Sequence, residues 1–73
     1  MKISSKRLRE FLAEVARHLD KEITLVAAGG TALTLYGLKP STIDVDFTGP
    51  AEDIACFRKV VNLVQPGFRV DAW

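Results

Sequence analysis

The chain has 73 residues, of which 48% are hydrophobic and 26% charged, and its formal net charge is +1. That composition excludes a disordered, fibrous or low-complexity chain and fits one small domain, near the size at which a core barely sustains itself. The near-neutral balance gives no global electrostatic case for nucleic acid or a membrane surface, and no apolar run approaches the roughly 20 residues of a membrane span.

Ser4 or Ser5 can cap a first helix, expected over about 5–20. Leu8, Phe11, Leu12, Val15 and Leu19 recur at spacings of three and four, the apolar stripe of an amphipathic helix. Its other face is charged, with Lys6, Arg7, Arg9 and Arg17 beside Glu10 and Glu14, and reads as a solvated face or a weak basic patch. Residues 23–28, short, apolar and rich in branched side chains, read as a buried strand ended by Gly29 and Gly30. Residues 31–36 form a short helix stopped by Gly37, and 38–42, with Pro40, a polar loop.

Residues 43–48 alternate strictly, which places Ile43, Val45 and Phe47 on one face of a strand and Asp44 and Asp46 on the other. Pro50 opens a last helix in its first turn, Glu52 and Asp53 suit its positive end, and Ile54, Phe57, Val61 and Val64 form its stripe. After Pro66 and Gly67, residues 68–73 alternate as a final strand. The order αβαβαβ gives an α/β (α+β) fold: a small mixed sheet with helices packed mainly on one face, in a single domain over 1–73. Because the last strand ends on the large apolar Trp73, further C-terminal elements or a second chain are expected to cover it.

Two carboxylates at alternate strand positions lie about 6.5–7 Å apart at Cα. Without a counter-charge they repel and raise one another's pKa, and a divalent cation removes that cost. Oxygen donors suit Mg²⁺ or Mn²⁺. An Asp-x-Asp pair also arises by chance on an exposed strand face. The Gly29-Gly30 turn permits close approach of a ligand to the backbone, and the helix after it offers unpaired N–H groups to a phosphate; such a pair also occurs as a plain turn. Thr31 could cap that helix or donate its hydroxyl to phosphate. The turn is neither a dinucleotide fingerprint nor a P-loop, for it lacks the third glycine of one and the Gly-Lys-Ser/Thr of the other.

In combination these features are more specific. Ala28-Gly29-Gly30, thirteen residues, and then Asp44-Val45-Asp46-Phe47 resembles the signature of the polymerase β-like nucleotidyltransferase superfamily. The run from Gly29 to Phe47 is similar to that of small prokaryotic members, the minimal nucleotidyltransferases and the toxin-type enzymes of abortive-infection systems. The resemblance implies that Gly29 and Gly30 hold a nucleoside triphosphate and that Asp44 and Asp46 bind Mg²⁺. It calls for a third carboxylate on a neighbouring strand, for which Asp71 is the candidate as metal ligand or general base; an exposed strand residue is the other reading of Asp71. Lys39, Ser41 and Thr42 are candidate phosphate contacts. The implied function is Mg²⁺-dependent transfer of a nucleoside monophosphate to a hydroxyl acceptor, with nucleic acid expected only as that acceptor. The chain is short for the family and lacks the helical region that usually contacts base and acceptor. The alternative is therefore a non-catalytic module that associates with a partner protein, as in toxin–antitoxin pairs, or with itself.

His18 reads as a structural helix residue, and Cys56 as a small core residue. As the lone cysteine, Cys56 excludes an internal disulfide and a cysteine-based zinc site, and it fits a reducing cytoplasm. Phe11, Leu35, Phe57 and Phe68 read as core, Tyr36 as core with a polar tip at the rim, and Trp73 as packed on the sheet end or in an interface.

Overall fold

The computed structural model describes residues 2–73. All six expected elements are present, together with two short strands that were not expected. The order is β1 (Ile3–Ser4), α1 (Ser5–His18), β2 (Val26–Ala27), α2 (Gly29–Leu35), β3 (Ser41–Thr42), β4 (Val45–Thr48), α3 (Ala51–Val64) and β5 (Val70–Ala72). The three helices thus accompany two small sheets: an antiparallel β1–β3 pair and a three-stranded sheet in the order β2-β4-β5. The latter is mixed, since β2 runs antiparallel to β4 and β5 parallel to it.

Ser4 makes the first cap, its Oγ accepting the Arg7 N–H at 3.1 Å. The stripe of α1 then buries Leu8, Phe11 and Val15. Helix α3 buries Ile54, Phe57 and Val60. Between them lie Val45 and Phe47, the inward residues of β4. Edge-to-face aromatic contacts join the layers: Phe47 to Phe57 at 5.4 Å between centroids, Phe57 to Phe11 at 6.2 Å, and Phe11 to Phe68 at 5.2 Å. Arg7 closes the far end of this stack. Its guanidinium lies 5.1 Å over the Phe68 ring and donates to the Pro66 carbonyl at 2.7 Å.

Several boundaries differ from the sequence reading, each for a physical reason. The expected buried strand over 23–28 pairs only at Val26 and Ala27, and Val26 is 53% exposed. It lies on an edge of the sheet, with a neighbour on one side only. Part of the expected 38–42 loop is β3, whose Ser41 and Thr42 pair with Ser4 and Ile3. Pro50 sits at the N-cap of α3, one position before the first turn, and its carbonyl accepts the Ile54 N–H at 2.9 Å. Helix α3 closes on Gln65 in the left-handed region. Tyr36, expected at the rim of the core, is 81% exposed, because α2 ends at Leu35 and the chain leaves the core there. Gly37 ends α2 as expected, its N–H donating to the Thr34 carbonyl at 3.1 Å.

Candidate functional site

The sequence separates the glycine turn from the aspartates by thirteen residues, and the fold ties the residues flanking the turn, Ala28 and Thr31, to the aspartate backbone. The chain leaves β2 at Ala28, whose N–H donates to the Asp46 carbonyl at 3.1 Å. Gly29 follows with φ +53°, a left-handed conformation open to glycine without strain. A side chain at Gly30 would meet Thr42 Oγ1 at 2.7 Å, so only glycine lets this turn lie against β3. Helix α2 therefore starts at Gly29, two residues before the expected point. Ala28 occupies its N-cap without a side-chain bond, and Thr31 lies inside the helix.

Thr31 is fully buried. Its hydroxyl donates to the Asp44 carbonyl at 3.1 Å and accepts the Asp46 N–H at 2.8 Å. A role for Thr31 as a helix cap is thereby corrected, and its hydroxyl is committed to the aspartate backbone where phosphate contact was expected. Thr42, 4% exposed, gives its hydroxyl to the same Asp44 carbonyl at 2.8 Å. Ser41 lies in β3 opposite Ser4. Lys39 brings the one positive charge among the three expected phosphate contacts of this loop, its Nζ 3.6 Å from the position a Gly30 Cβ would take.

Of the two aspartates only Asp46 lies within the strand. Asp44 is exposed and precedes β4, which begins at Val45. The Thr42 hydroxyl bond to its carbonyl is a local alternative to ladder pairing. Ile43, expected to point inward with Val45 and Phe47, is 69% exposed for the same reason. Asp46 is in the strand and half-buried, on the face opposite Val45 and Phe47. Its partner in the parallel register is Asp71 of β5, so these two side chains lie side by side on one face. Arg69 Nε donates to Asp71 Oδ1 at 3.2 Å. Asp46, Asp71, Arg58, Val70, Ala72 and Trp73 line an open depression of about 460 Å³. Arg58 escaped the sequence reading because it adjoins the apolar stripe of α3 as an ordinary surface cation; only the docking of α3 beside β5 brings it to the same depression.

Burial pushes the Asp46 carboxyl above its ordinary value of 3.8, the charges of Asp44 and Asp71 push it further, and Arg69 partly opposes them. Among the described residues no three Asp, Glu, His or Cys side chains converge as a ready-made metal cage. The coupling and the geometry differ because repulsion acts over a longer range than coordination. Asp44 stands off the strand and Asp71 turns one oxygen to Arg69. The donor set nevertheless fits a hard divalent cation in kind. It consists of carboxylate oxygens, and the burial and mutual repulsion that raise Asp46 are costs such an ion relieves.

Comparison with known proteins finds no matching family model, no similar curated protein and no similar solved structure. No helix among the described residues is long and apolar enough to cross a membrane.

Two outcomes follow from this geometry. A carboxyl with a raised folded-state pKa adds stability below its unfolded value and loses it as pH rises through the raised value. Asp46→Asn is therefore expected to melt higher than wild type at pH 7 in a metal-free buffer, with the gain shrinking as pH falls toward 3.8 and below; a variant less stable at pH 7 contradicts the charge argument. Thr31→Val keeps the shape and strips the hydroxyl, leaving the Asp46 N–H unpaired. Urea unfolding is expected to register a loss of about 1–3 kcal/mol, with Thr31→Ser recovering most of it. Equal losses in both variants would assign the effect to packing.

Proposed function

We propose that the chain binds a nucleoside triphosphate together with Mg²⁺ or Mn²⁺ and transfers the nucleoside monophosphate to a hydroxyl acceptor. One observation carries this reading: the glycine turn and the aspartate segment, distant in sequence, are hydrogen-bonded to each other through Ala28 and Thr31, and Asp71 stands in register beside Asp46. The likeness of residues 28–47 to the nucleotidyltransferase signature supports the same reading.

In this mechanism Asp44, Asp46 and Asp71 would hold the cation, which when bound supplies charge neutralisation and alignment of the attacking and leaving oxygens. The triphosphate lies along the open surface at Gly29, where no side chain intervenes, with Lys39 as the nearby positive charge. An acceptor hydroxyl attacks the α-phosphorus. The new bond joins acceptor oxygen to phosphorus, the bond to the β-phosphate bridging oxygen breaks, and pyrophosphate leaves. Asp71, which lines the depression, would take the hydroxyl proton where it does not itself hold the cation. The chain's own contribution is positioning: Thr31 fixes Asp46 against the turn, and Arg69 orients Asp71.

The test is calorimetric titration of wild type, Asp46→Asn and Asp44→Asn with a Mg²⁺–nucleoside triphosphate. Wild type is expected to bind only with the metal present, and each variant to lose at least tenfold in affinity, along with nucleotide transfer to any acceptor that wild type uses. Equal binding by wild type and both variants would remove the site assignment.

A further inference from the structure

The depression beside β5 sets an aromatic plane next to the carboxylates. Trp73 continues the line of β5 along β4. Its N–H donates to the Phe47 carbonyl at 3.1 Å, and its carbonyl accepts the Thr48 hydroxyl. The main chain of Trp73 is thus tied to β4 on both sides. Alternation along this extended segment turns Ala72 into the core, where it is 6% exposed, and gives Asp71 and Trp73 to the opposite face. At two residues' separation their Cα atoms lie about 6.5–7 Å apart. The indole remains 60% exposed although its backbone is held, and it lines the same depression as Asp46, Asp71 and Arg58.

We infer that the Trp73 indole is a stacking platform for a nucleobase beside the candidate catalytic carboxylates. The inference rests on the nucleotidyl-transfer reading and adds to it the part of the ligand that the glycine turn and the aspartates do not contact. Two features support it. Every nucleobase offers a flat π-face, for which an exposed indole is a stacking partner. Arg58 brings a planar cation to the same hollow, and a guanidinium itself stacks on bases. The base comes either from the nucleoside triphosphate or from the end of an acceptor strand, and the two sources are separable by experiment.

The chain has a single tryptophan, so its fluorescence reports on Trp73 alone. Wild type is titrated with Mg²⁺–adenosine triphosphate, with Mg²⁺–tripolyphosphate, which has no base, and with a short oligoadenylate lacking terminal phosphates. Calorimetry gives the affinities of wild type, Trp73→Ala and Trp73→Phe. The triphosphate nucleotide is expected to quench the indole and to bind roughly tenfold more tightly than tripolyphosphate. Trp73→Ala is expected to lower its affinity to that of tripolyphosphate, while Trp73→Phe keeps most of it. Quenching by the oligoadenylate and not by the nucleotide upholds the platform and assigns the base to the acceptor. If neither base-bearing ligand quenches the indole, the platform is overturned. Failure of tripolyphosphate to bind overturns the metal-phosphate reading instead, whatever the indole does.

Discussion

The buried hydroxyl of Thr31 spans two backbone groups of one short segment, the Asp44 carbonyl and the Asp46 N–H. Most of the candidate site depends on that bridge. It joins the first turn of α2 to the start of β4, and so fixes the glycine turn relative to the aspartates. A buried hydroxyl must find partners or cost on the order of 1–3 kcal/mol, which makes this joint specific as well as cohesive. Thr34 and Thr42 share the arrangement. The first donates to the Gly30 carbonyl at 2.7 Å and the second to the Asp44 carbonyl, and no buried side-chain polar atom among the described residues lacks a partner. Three threonines therefore form a polar layer behind the turn. The aromatic stack of Phe11, Phe47 and Phe57 supplies the apolar support on the other side of β4.

This division of labour explains why Asp46 can carry an unfavourable charge. Val45 and Phe47 anchor β4 in the core, so the residue between them is held on the opposite face whether or not its charge is comfortable there. Asp71 is brought alongside by the parallel pairing of β5, which in turn is tied to α3 through the core. The repulsion left in the site is the kind of local strain that packing elsewhere sustains and that a bound cation relieves.

The helices were legible because their apolar periodicity is long: the stripe from Leu8 to Val15 spans two turns, and that of α3 about three. That Asp71 lies on a strand was legible too, since Val70 and Ala72 flank it with apolar residues, whereas its pairing with Asp46 is a matter of strand register. Strands β1 and β3 were not, because two residues are too few for a period of two to register. The displacement of Asp44 from the strand was hidden for a different reason. The alternation from Ile43 to Thr48 is complete in sequence, and only the Thr42 hydroxyl bond to Asp44 identifies where the ladder stops. Val26 shows a third kind of limit. Its residue type fits a central strand, but the strand order puts it at an edge, and that order is a property of the whole chain. Arg58 became part of the site only through helix docking.

The central claim, that the turn and the three aspartates form one metal–nucleotide site, is tested most directly by paramagnetic broadening of backbone amide resonances with Mn²⁺ and a nucleoside triphosphate. At substoichiometric Mn²⁺ the account requires selective broadening at Gly29, Gly30, Asp44, Asp46 and Asp71, which vanishes when Mg²⁺ is added in excess. Broadening centred on other acidic residues, such as Asp20 and Glu22 or Glu52 and Asp53, with these five amides left sharp, would contradict it.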